Sequence, residues 1–556
     1  MKKLPLLFFL PLLAALGCTS GRHGATFRYF EYAGADTTFA VHADATREFR
    51  NPVLSGFYPD PSVCRKDSDY YLATSSFAYY PGIPIFHSRN LVSWTQVGHA
   101  LNRPSQLNLV GKRLSGGLYA PDITYNGHDS TFYLINTNVD GMGNFIVKTK
   151  DPKESSWSEP VPLPDVGGID PSLFFDDDGK AYVVHNDTPP ELPQWDGHRA
   201  IWLHELNAAN AATVGKPALV VNGGVDTATH PVWIEAPHLY KINGYYYLMC
   251  AEGGTSINHS EVIFRANSVW GPYVPWERNP ILTQRDLPAN RPRPVTNAGH
   301  ADLVQTPEGD WYAVFLACRP YSDNLFNTGR ETFMLPVTWQ DGYPVILPKG
   351  KTVPYVAALH RPLTQPATTT HQGNFAWRDD FGSSALAHEW IFIRTPQSKW
   401  WKTSSAGLTL YPNGQSIREL KNPAFIGRRQ QHLNFEAATE LRYHPSKAGN
   451  MAGLVCYQRE THHFIFGKTM NNDGKTYIAL DRELRGTTRI AGVEVPPEAI
   501  GKPVYLKASG SGGSYSFYAS YDGLTWNAVA TNVDASFLST EVAGGFTGVM
   551  VGMYVR

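Results

Sequence analysis

The sequence predicts an all-β chain, a five-bladed β-propeller followed by a lectin-like β-sandwich. Three observations carry that expectation. Aromatic residues make up 13% of the chain, alongside 49 Gly and 41 Pro, which is the stock of strand formers and turn formers that many short strands need. A short polar motif followed, one turn later, by an aromatic strand recurs five times between residues 51 and 350. The turns inside those repeats are Asn126-Gly127, Asp178-Gly179, Asn243-Gly244 and Glu308-Gly309, which are hairpin signals. No sustained helical periodicity competes with them.

Length and charge set the outer limits. At roughly 100–200 residues per domain, 556 residues predict about three domains or two large ones. Hydrophobic residues at 42% and charged residues at 17% exclude a disordered chain. With 48 Lys+Arg against 49 Asp+Glu, the net charge is −1, and no basic stripe is visible, so nucleic acid is not an expected partner.

In chain order, Lys2 and Lys3 precede an apolar run from Leu4 to Leu16 that is too short to span a bilayer and reads as an export signal. Ala15-Leu16-Gly17-Cys18 resembles a bacterial lipobox, which makes Cys18 the expected lipidation site and residues 1–26 a signal peptide and tether. The expected location is a bacterial lipoprotein, periplasmic or associated with the outer membrane, touching the membrane only through that anchor. Residues 27–50 form an N-terminal extension with room for one added strand. The other cysteines, Cys64, Cys250, Cys318 and Cys456, are scattered without C-x-x-C spacing and read as small buried residues rather than metal ligands.

The repeats occupy 51–358. Their motifs are Tyr58-Pro59-Asp60-Pro61-Ser62, Tyr119-Ala120-Pro121-Asp122, Ile169-Asp170-Pro171-Ser172, Ile234-Glu235-Ala236-Pro237-His238 and Gly299-His300-Ala301-Asp302-Leu303. Repeats of this length with several strands each suggest propeller blades. The innermost strand of each blade lines the central channel, so equivalent positions in different blades converge near the axis. Asp60, Asp170 and Glu235 are therefore expected to meet, with His300 beside them. Asp122 reads instead as a turn residue or one that orients a neighbour. Residues 359–374 are polar and Pro-bearing and read as a linker. From 375 to 556 strands alternate with turns, as at Gly407–Tyr411, Met451–Val455 and Tyr515–Tyr518 with a turn at Asp522-Gly523, giving the sandwich.

Two carboxyl groups flanking a bond are what glycoside hydrolysis needs: one protonates the leaving oxygen, the other activates water or attacks the anomeric carbon. A third carboxylate nearby holds the acid's pKa up by like-charge repulsion. Singly, an Asp-Pro or a Glu-Ala-Pro is an ordinary turn. In register across repeats they are specific.

The blocks at 58–62, 169–172 and 234–238, with Gly299–Leu303 and Gly329-Arg330-Glu331-Thr332, resemble the signature blocks of family 43 glycoside hydrolases, most closely the β-xylosidase and α-L-arabinofuranosidase branch with its C-terminal β-sandwich. The resemblance covers about 51 to 556. It implies an inverting enzyme with Asp60 as general base, Glu235 as general acid and Asp170 tuning and orienting Glu235. Inversion implies a carboxyl separation of roughly 6.5–9.5 Å between Asp60 and Glu235. It also implies that Arg330 binds the terminal sugar and that Phe77 and Tyr119 wall its site, Tyr119 standing where relatives often carry Trp. Phe546, in Gly544-Gly545-Phe546-Thr547-Gly548, supplies an aromatic gate. His300 is structural or supports a hydrated Ca²⁺; no cofactor is required. In the resembled branch the chain continues past this loop into another strand, whereas this chain stops at Arg556, so the last strand of the sandwich is expected to be missing or supplied differently.

The expected activity is release of single pentoses from the non-reducing ends of xylan-derived chains, β-D-xylosidase first and α-L-arabinofuranosidase second, with a xylo- or arabino-oligosaccharide as partner. A fructan-cleaving propeller fits the motifs poorly, since its Asn-Asp-Pro, Arg-Asp-Pro and Glu-Cys blocks are absent. An endo-arabinanase needs an open groove. A non-catalytic sugar-binding lipoprotein is the alternative of another class. The oligomeric state is not assigned.

Overall fold

The structure, a computed structural model, describes residues 24–154, 156–368 and 371–556. The expected export signal, with Cys18, lies outside the described residues.

Five antiparallel sheets follow one another as blades. Their innermost strands are Ser62–Lys66, Asp122–Asn126, Ile169–Phe175, Glu235–Ile242 and Thr296–Gln305. The hairpin signals act where expected. Asn243 and Gly244, at φ 52° and 83°, turn the fourth blade's first strand directly into Tyr245–Glu252, as a two-residue turn with two left-handed positions does. The ring closes by pairing its start to its end. Leu54 bridges Thr332 in the fifth blade, and the Asn51 side-chain amide both donates to the Met334 carbonyl and accepts from its N–H, standing in for one more ladder residue.

The Asp122 position is what holds blades together. Its carboxylate accepts from the Leu173 N–H, from Thr124 and from Ser62, while Ser62 and the Val63 N–H donate to Asp302 and Tyr240 donates to its other oxygen. His238 Nδ1 lies 3.7 and 3.8 Å from the two carboxylates. The carboxylate oxygens of this cluster already accept from protein donors, so it is a belt between blades rather than a cation cage.

The sandwich consists of a nine-stranded and an eight-stranded sheet. The expectation for the N-terminal part of the chain needs correction here. Residues 27–50 hold more than one added strand, and the strands begin at Ala25, inside the 1–26 segment. Ala25–Phe27 pairs with Gly407–Leu410 and Asn434–Arg442, and Phe30–Gly34 lies between Ala376–Asp379 and Asn434–Arg442, all in the nine-stranded sheet. Glu48–Arg50 then pairs with Val356–Ala358. After the 544–548 loop the chain does form a further strand: Met550–Val555 is central in the eight-stranded sheet, between Phe425–Arg429 and Met451–Arg459.

The two domains share structure. Tyr79–Tyr80 of the first blade pairs with Ile391–Ile393 and so forms the edge of the eight-stranded sheet. One apolar core runs from Trp390, Phe464 and Phe517 of the sandwich to Leu118, Phe132 and Trp157 of the propeller. The polar linker ends buried: His371 and Gln372 are covered, and Gln372 both accepts from the Arg50 N–H and donates to the Val92 carbonyl. At the interface Arg319 is fully buried. Its guanidinium holds Glu331 of the fifth blade at 2.6 and 2.9 Å, Asp36 of the N-terminal segment at 2.7 Å, and the Gln431 carbonyl of the sandwich at 3.0 Å.

Removing one partner of such a buried network leaves uncompensated charge, at a cost of about 3–5 kcal/mol. Arg319→Met is therefore expected to lower the unfolding midpoint strongly. In calorimetry both domains should still melt in one transition, because the core and a sheet are shared; two separated peaks would contradict the shared core.

Candidate active site

A cavity of about 390 Å³ opens at one end of the propeller channel. Every predicted site residue from the described chain lines it: Asp60, Asp170 and Glu235, then His300 and Arg330, then Phe77, Tyr119 and Phe546. Most sit where a strand begins or has just ended, His300 being inside its strand and Phe546 in a loop, and at several of them the backbone is unusual. Asp60, Asp170 and Ala236 precede prolines, a position that ordinarily stays extended, yet all three take left-handed φ of 50–55°. Phe77 and His300 share that conformation at 52° and 54°. The ladders of the third, fourth and fifth blades slip in register at these points, between Ile169 and Ser172, Glu235 and His238, and Thr296 and Asp302. A bulge bends a strand and re-aims its side chains. The repeated Pro, which has no N–H for the ladder, is the sequence signal for it.

The base side of the cavity is tightly organised. Asp60 accepts from Ser75 Oγ at 2.5 Å and from Arg330 Nη1 at 2.9 Å. Ser75 is itself held by its N–H to the Pro59 carbonyl. Burial alone would raise the Asp60 carboxyl, but Arg330, His300 and the Ser75 hydroxyl together hold it below its ordinary 3.8. His300 Nδ1 lies 3.7 Å from Asp60; burial pushes this imidazole down to about 3, against the pull of the Asp60 charge. His259, behind it, is likewise pushed down to about 4. One imidazole and one carboxylate oxygen already engaged by a guanidinium supply few of the oxygen ligands that Ca²⁺ takes, so a cation at His300 would be coordinated mainly by water.

The opposite side behaves inversely. Asp170 is buried, and burial followed by the charge of Asp60 raises its carboxyl, although the Ala236 N–H donates to it. Glu235 keeps partial exposure to the cavity. Its carboxyl is raised well above 4.5, by burial first and then by Asp170 and Asp60. The site therefore holds one carboxylate ready to accept a proton and one carboxylic acid ready to give one.

Arg330 links the walls. Nη1 also donates to Thr255 at 2.9 Å, and Nη2 has no protein partner among the described residues. The guanidinium lies 5.3 Å from the Phe546 ring centroid and 5.9 Å from that of Phe77. Phe77, Tyr119 and Phe546 form one aromatic cluster with centroids 5.7–6.0 Å apart, so Phe77 and Tyr119 are cavity walls rather than ordinary strand aromatics. Phe546 arrives from the sandwich, its N–H donating to Ser115. The approach is possible because Gly329, at φ 75°, meets Gly548 with no Cβ on either: one built on Gly329 would lie 2.8 Å from the Gly548 nitrogen.

Residues 49–344 match the family described as glycosyl hydrolases family 43, and 378–556 match the beta xylosidase C-terminal concanavalin A-like domain. The chain is a family 43 glycoside hydrolase. A xylosidase/arabinosidase of Butyrivibrio fibrisolvens is 36% identical, the match covering 91% of this chain and 95% of that one. A non-reducing end alpha-L-arabinofuranosidase of Bacteroides ovatus is also 36% identical, covering 92% of each. Among solved structures, a GH43_12 protein from a capybara gut metagenome superimposes with a TM-score of 0.88 at 41% identity, over 96% of this chain and 100% of that one. Membership makes this family 43 hydrolase an enzyme, and the binding-only alternative is not favoured.

Sequence reasoning passed over Ser75, Thr255 and Trp233, which all touch the site or line it. Ser75 and Trp233 each lie two residues from a residue that was found, Phe77 and Glu235. Thr255 carries no motif. Replacing Arg330 by Met removes the nearest cation from Asp60, so its carboxyl pKa is expected to rise. Carboxyl ¹³C NMR titration checks this, and an unmoved Asp60 would show that His300 and Ser75 suffice.

Proposed function

We infer that the protein is an inverting exo-glycosidase that releases single pentoses from the non-reducing ends of xylan-derived chains. Terminal β-D-xylose is the first substrate and terminal α-L-arabinofuranose the second. The observation that carries the reading is the pair of opposed environments in one cavity: Asp60 held by the Arg330 guanidinium and the Ser75 hydroxyl, and Glu235 set by burial beside the carboxyls of Asp170 and Asp60. Closure of one wall by Phe546 from another domain suits a chain end and leaves little room for the interior of a polymer, which argues against an endo-acting arabinanase. The arabinose reading has its own support in the Bacteroides relative, and the Butyrivibrio relative carries both names.

In this mechanism Arg330 offers its free Nη2 edge to hydroxyls of the terminal sugar, and the aromatic cluster covers the ring. Asp60, ionised, takes a proton from a water that attacks the anomeric carbon. Glu235, protonated, gives its proton to the glycosidic oxygen as the bond to the leaving sugar breaks. Attack from the face opposite the leaving group inverts the anomeric centre. Asp170 keeps Glu235 protonated by like-charge repulsion and anchors the adjacent backbone through the Ala236 N–H.

The pH dependence has a definite sign. Activity needs Asp60 ionised, so it falls as pH drops through a pKa below the ordinary carboxylate value. It needs Glu235 protonated, so it also falls as pH rises through that group's elevated pKa. kcat/KM is then bell-shaped. Asp170→Asn removes a like charge and should move the alkaline limb to lower pH; an unmoved limb would remove Asp170 from this role. Asp60→Ala and Glu235→Ala should each cut turnover of a disaccharide by about 10²-fold or more, on the scale of lost acid–base catalysis, while sugar binding survives. The deciding assay hydrolyses aryl β-D-xyloside and aryl α-L-arabinofuranoside side by side, with the product anomer read by NMR. Inverted product from either supports the mechanism and the ratio of kcat/KM ranks the two sugars, whereas a retained anomer would sink the assignment of Asp60 as base.

A further inference from the structure

The aromatic cluster and Arg330 belong to the first, second and fifth blades and to the sandwich. On the other arc of the cavity, beside Glu235, one aromatic residue stands alone. Trp233 lines the cavity two residues before Glu235. Its φ of 53° is a genuine outlier for so bulky a side chain. Such a backbone persists only where the surroundings over-determine it, and here they do. The Trp233 N–H donates to the Gly197 carbonyl and the Val232 carbonyl accepts from the Gly253 N–H, each at 2.8 Å. The Ile234 carbonyl accepts from the Asn186 side chain.

The ring plane is fixed as well. The Arg199 guanidinium packs 4.0 Å from the indole centroid. It has no carboxylate partner among the described residues, and its one hydrogen bond is to the His198 carbonyl at 3.3 Å. A cation over an aromatic face is favourable, so Arg199 clamps Trp233 from one side and leaves the rest of the ring to the cavity. The indole has no partner among the other cavity aromatics, all of which contact one another.

We propose that Trp233, held by Arg199, is the platform for the leaving-group sugar, the residue on the reducing side of the bond that is cut. The argument rests on the glycosidase reading above. The general acid must reach the oxygen that joins the two sugars, so the sugar released with that oxygen lies on the Glu235 side, where Trp233 is. The ligand class is a pyranose, which presents an apolar C–H face to an aromatic ring and hydroxyls at its rim. Trp233 contacts that sugar; Arg199 is a positioning residue that holds the indole, and its charge also lowers the Glu235 carboxyl against the effect of burial.

The test compares two leaving groups on the same donor. Xylobiose fills the site beyond the cut bond, whereas β-D-xylosyl fluoride leaves it empty. Trp233→Ala is expected to lower kcat/KM for xylobiose by about tenfold while fluoride hydrolysis stays within about twofold, and Arg199→Met should shift the same ratio less. Fluoride turnover doubles as the control that each variant is folded. Because fluoride leaves without a proton from Glu235, methyl β-D-xyloside, which needs that proton but places no sugar beyond the cut bond, is run beside it. A loss on methyl xyloside equal to that on xylobiose overturns the platform. Equal losses on xylobiose and fluoride, or an unchanged xylobiose rate, would overturn the proposal. If the wild-type enzyme hydrolyses neither xyloside, the pentose assignment fails rather than the platform. The same ratio is then read on α-L-arabinofuranosyl fluoride and an α-L-arabinofuranosyl-xylose disaccharide. There a loss confined to the disaccharide supports the platform, and an equal loss or no loss overturns it.

Discussion

The buried guanidinium of Arg319 is the constraint on which the rest of the molecule hangs. Three segments far apart in sequence supply its partners: Asp36, Glu331 and the Gln431 carbonyl. Glu331 also accepts from the Gly56 N–H and from Thr328, so one carboxylate ties the entry of the propeller to its last blade. Glu331 directly follows Arg330. The residue that grips Asp60 is thus the neighbour of the residue that joins the domains, and the base's low pKa is inherited from the interface. Interior ion pairs gain little over apolar packing unless every donor and acceptor is met. Here the guanidinium is met on all sides, and the return is registration of the arginine that bonds Asp60.

A second theme is division of charge within one funnel. Asp60, Asp170 and Glu235 stand in equivalent places of three repeats, yet their environments push them apart. Asp60 has a guanidinium and a hydroxyl, whereas Glu235 has burial and two like charges. Equivalent positions with unequal neighbours are how a repeated fold generates an acid and a base from the same kind of side chain.

Much of this was legible in the sequence, and for local reasons. Blades are hairpins, and Asn-Gly turns, alternating aromatics and X-Pro bulges are encoded within a few residues of where they act. The three carboxylates could be found because the repeat supplied their register, and Arg330 because it lay in a block resembling a known one. The unreadable parts are those whose partners are distant. Nothing in Phe30–Gly34 announces that its neighbours are Ala376–Asp379 and Asn434–Arg442. Tyr79–Tyr80 looks like part of its own blade and instead edges the other domain's sheet. Nor does Met550–Val555 announce in sequence that it is paired on both sides, to Phe425–Arg429 and Met451–Arg459. Trp233 was missed because a single aromatic before a motif is common, and only its left-handed backbone and its guanidinium clamp set it apart.

The threading of the N-terminal strands into the C-terminal sandwich has a consequence for how the molecule comes into being. Ala25–Phe27 and Phe30–Gly34 emerge early from the ribosome, but their partner Asn434–Arg442 is made about 400 residues later. At ordinary synthesis rates of about 5–20 residues per second, that wait is some tens of seconds. During it an apolar strand with open edges must be kept from pairing elsewhere, the kind of segment that templates aggregation. Such a chain does not finish its first domain and then begin its second. The nine-stranded sheet is complete only when the two ends meet, and the Arg319 site, which takes Asp36 from the one and the Gln431 carbonyl from the other, is complete only with it.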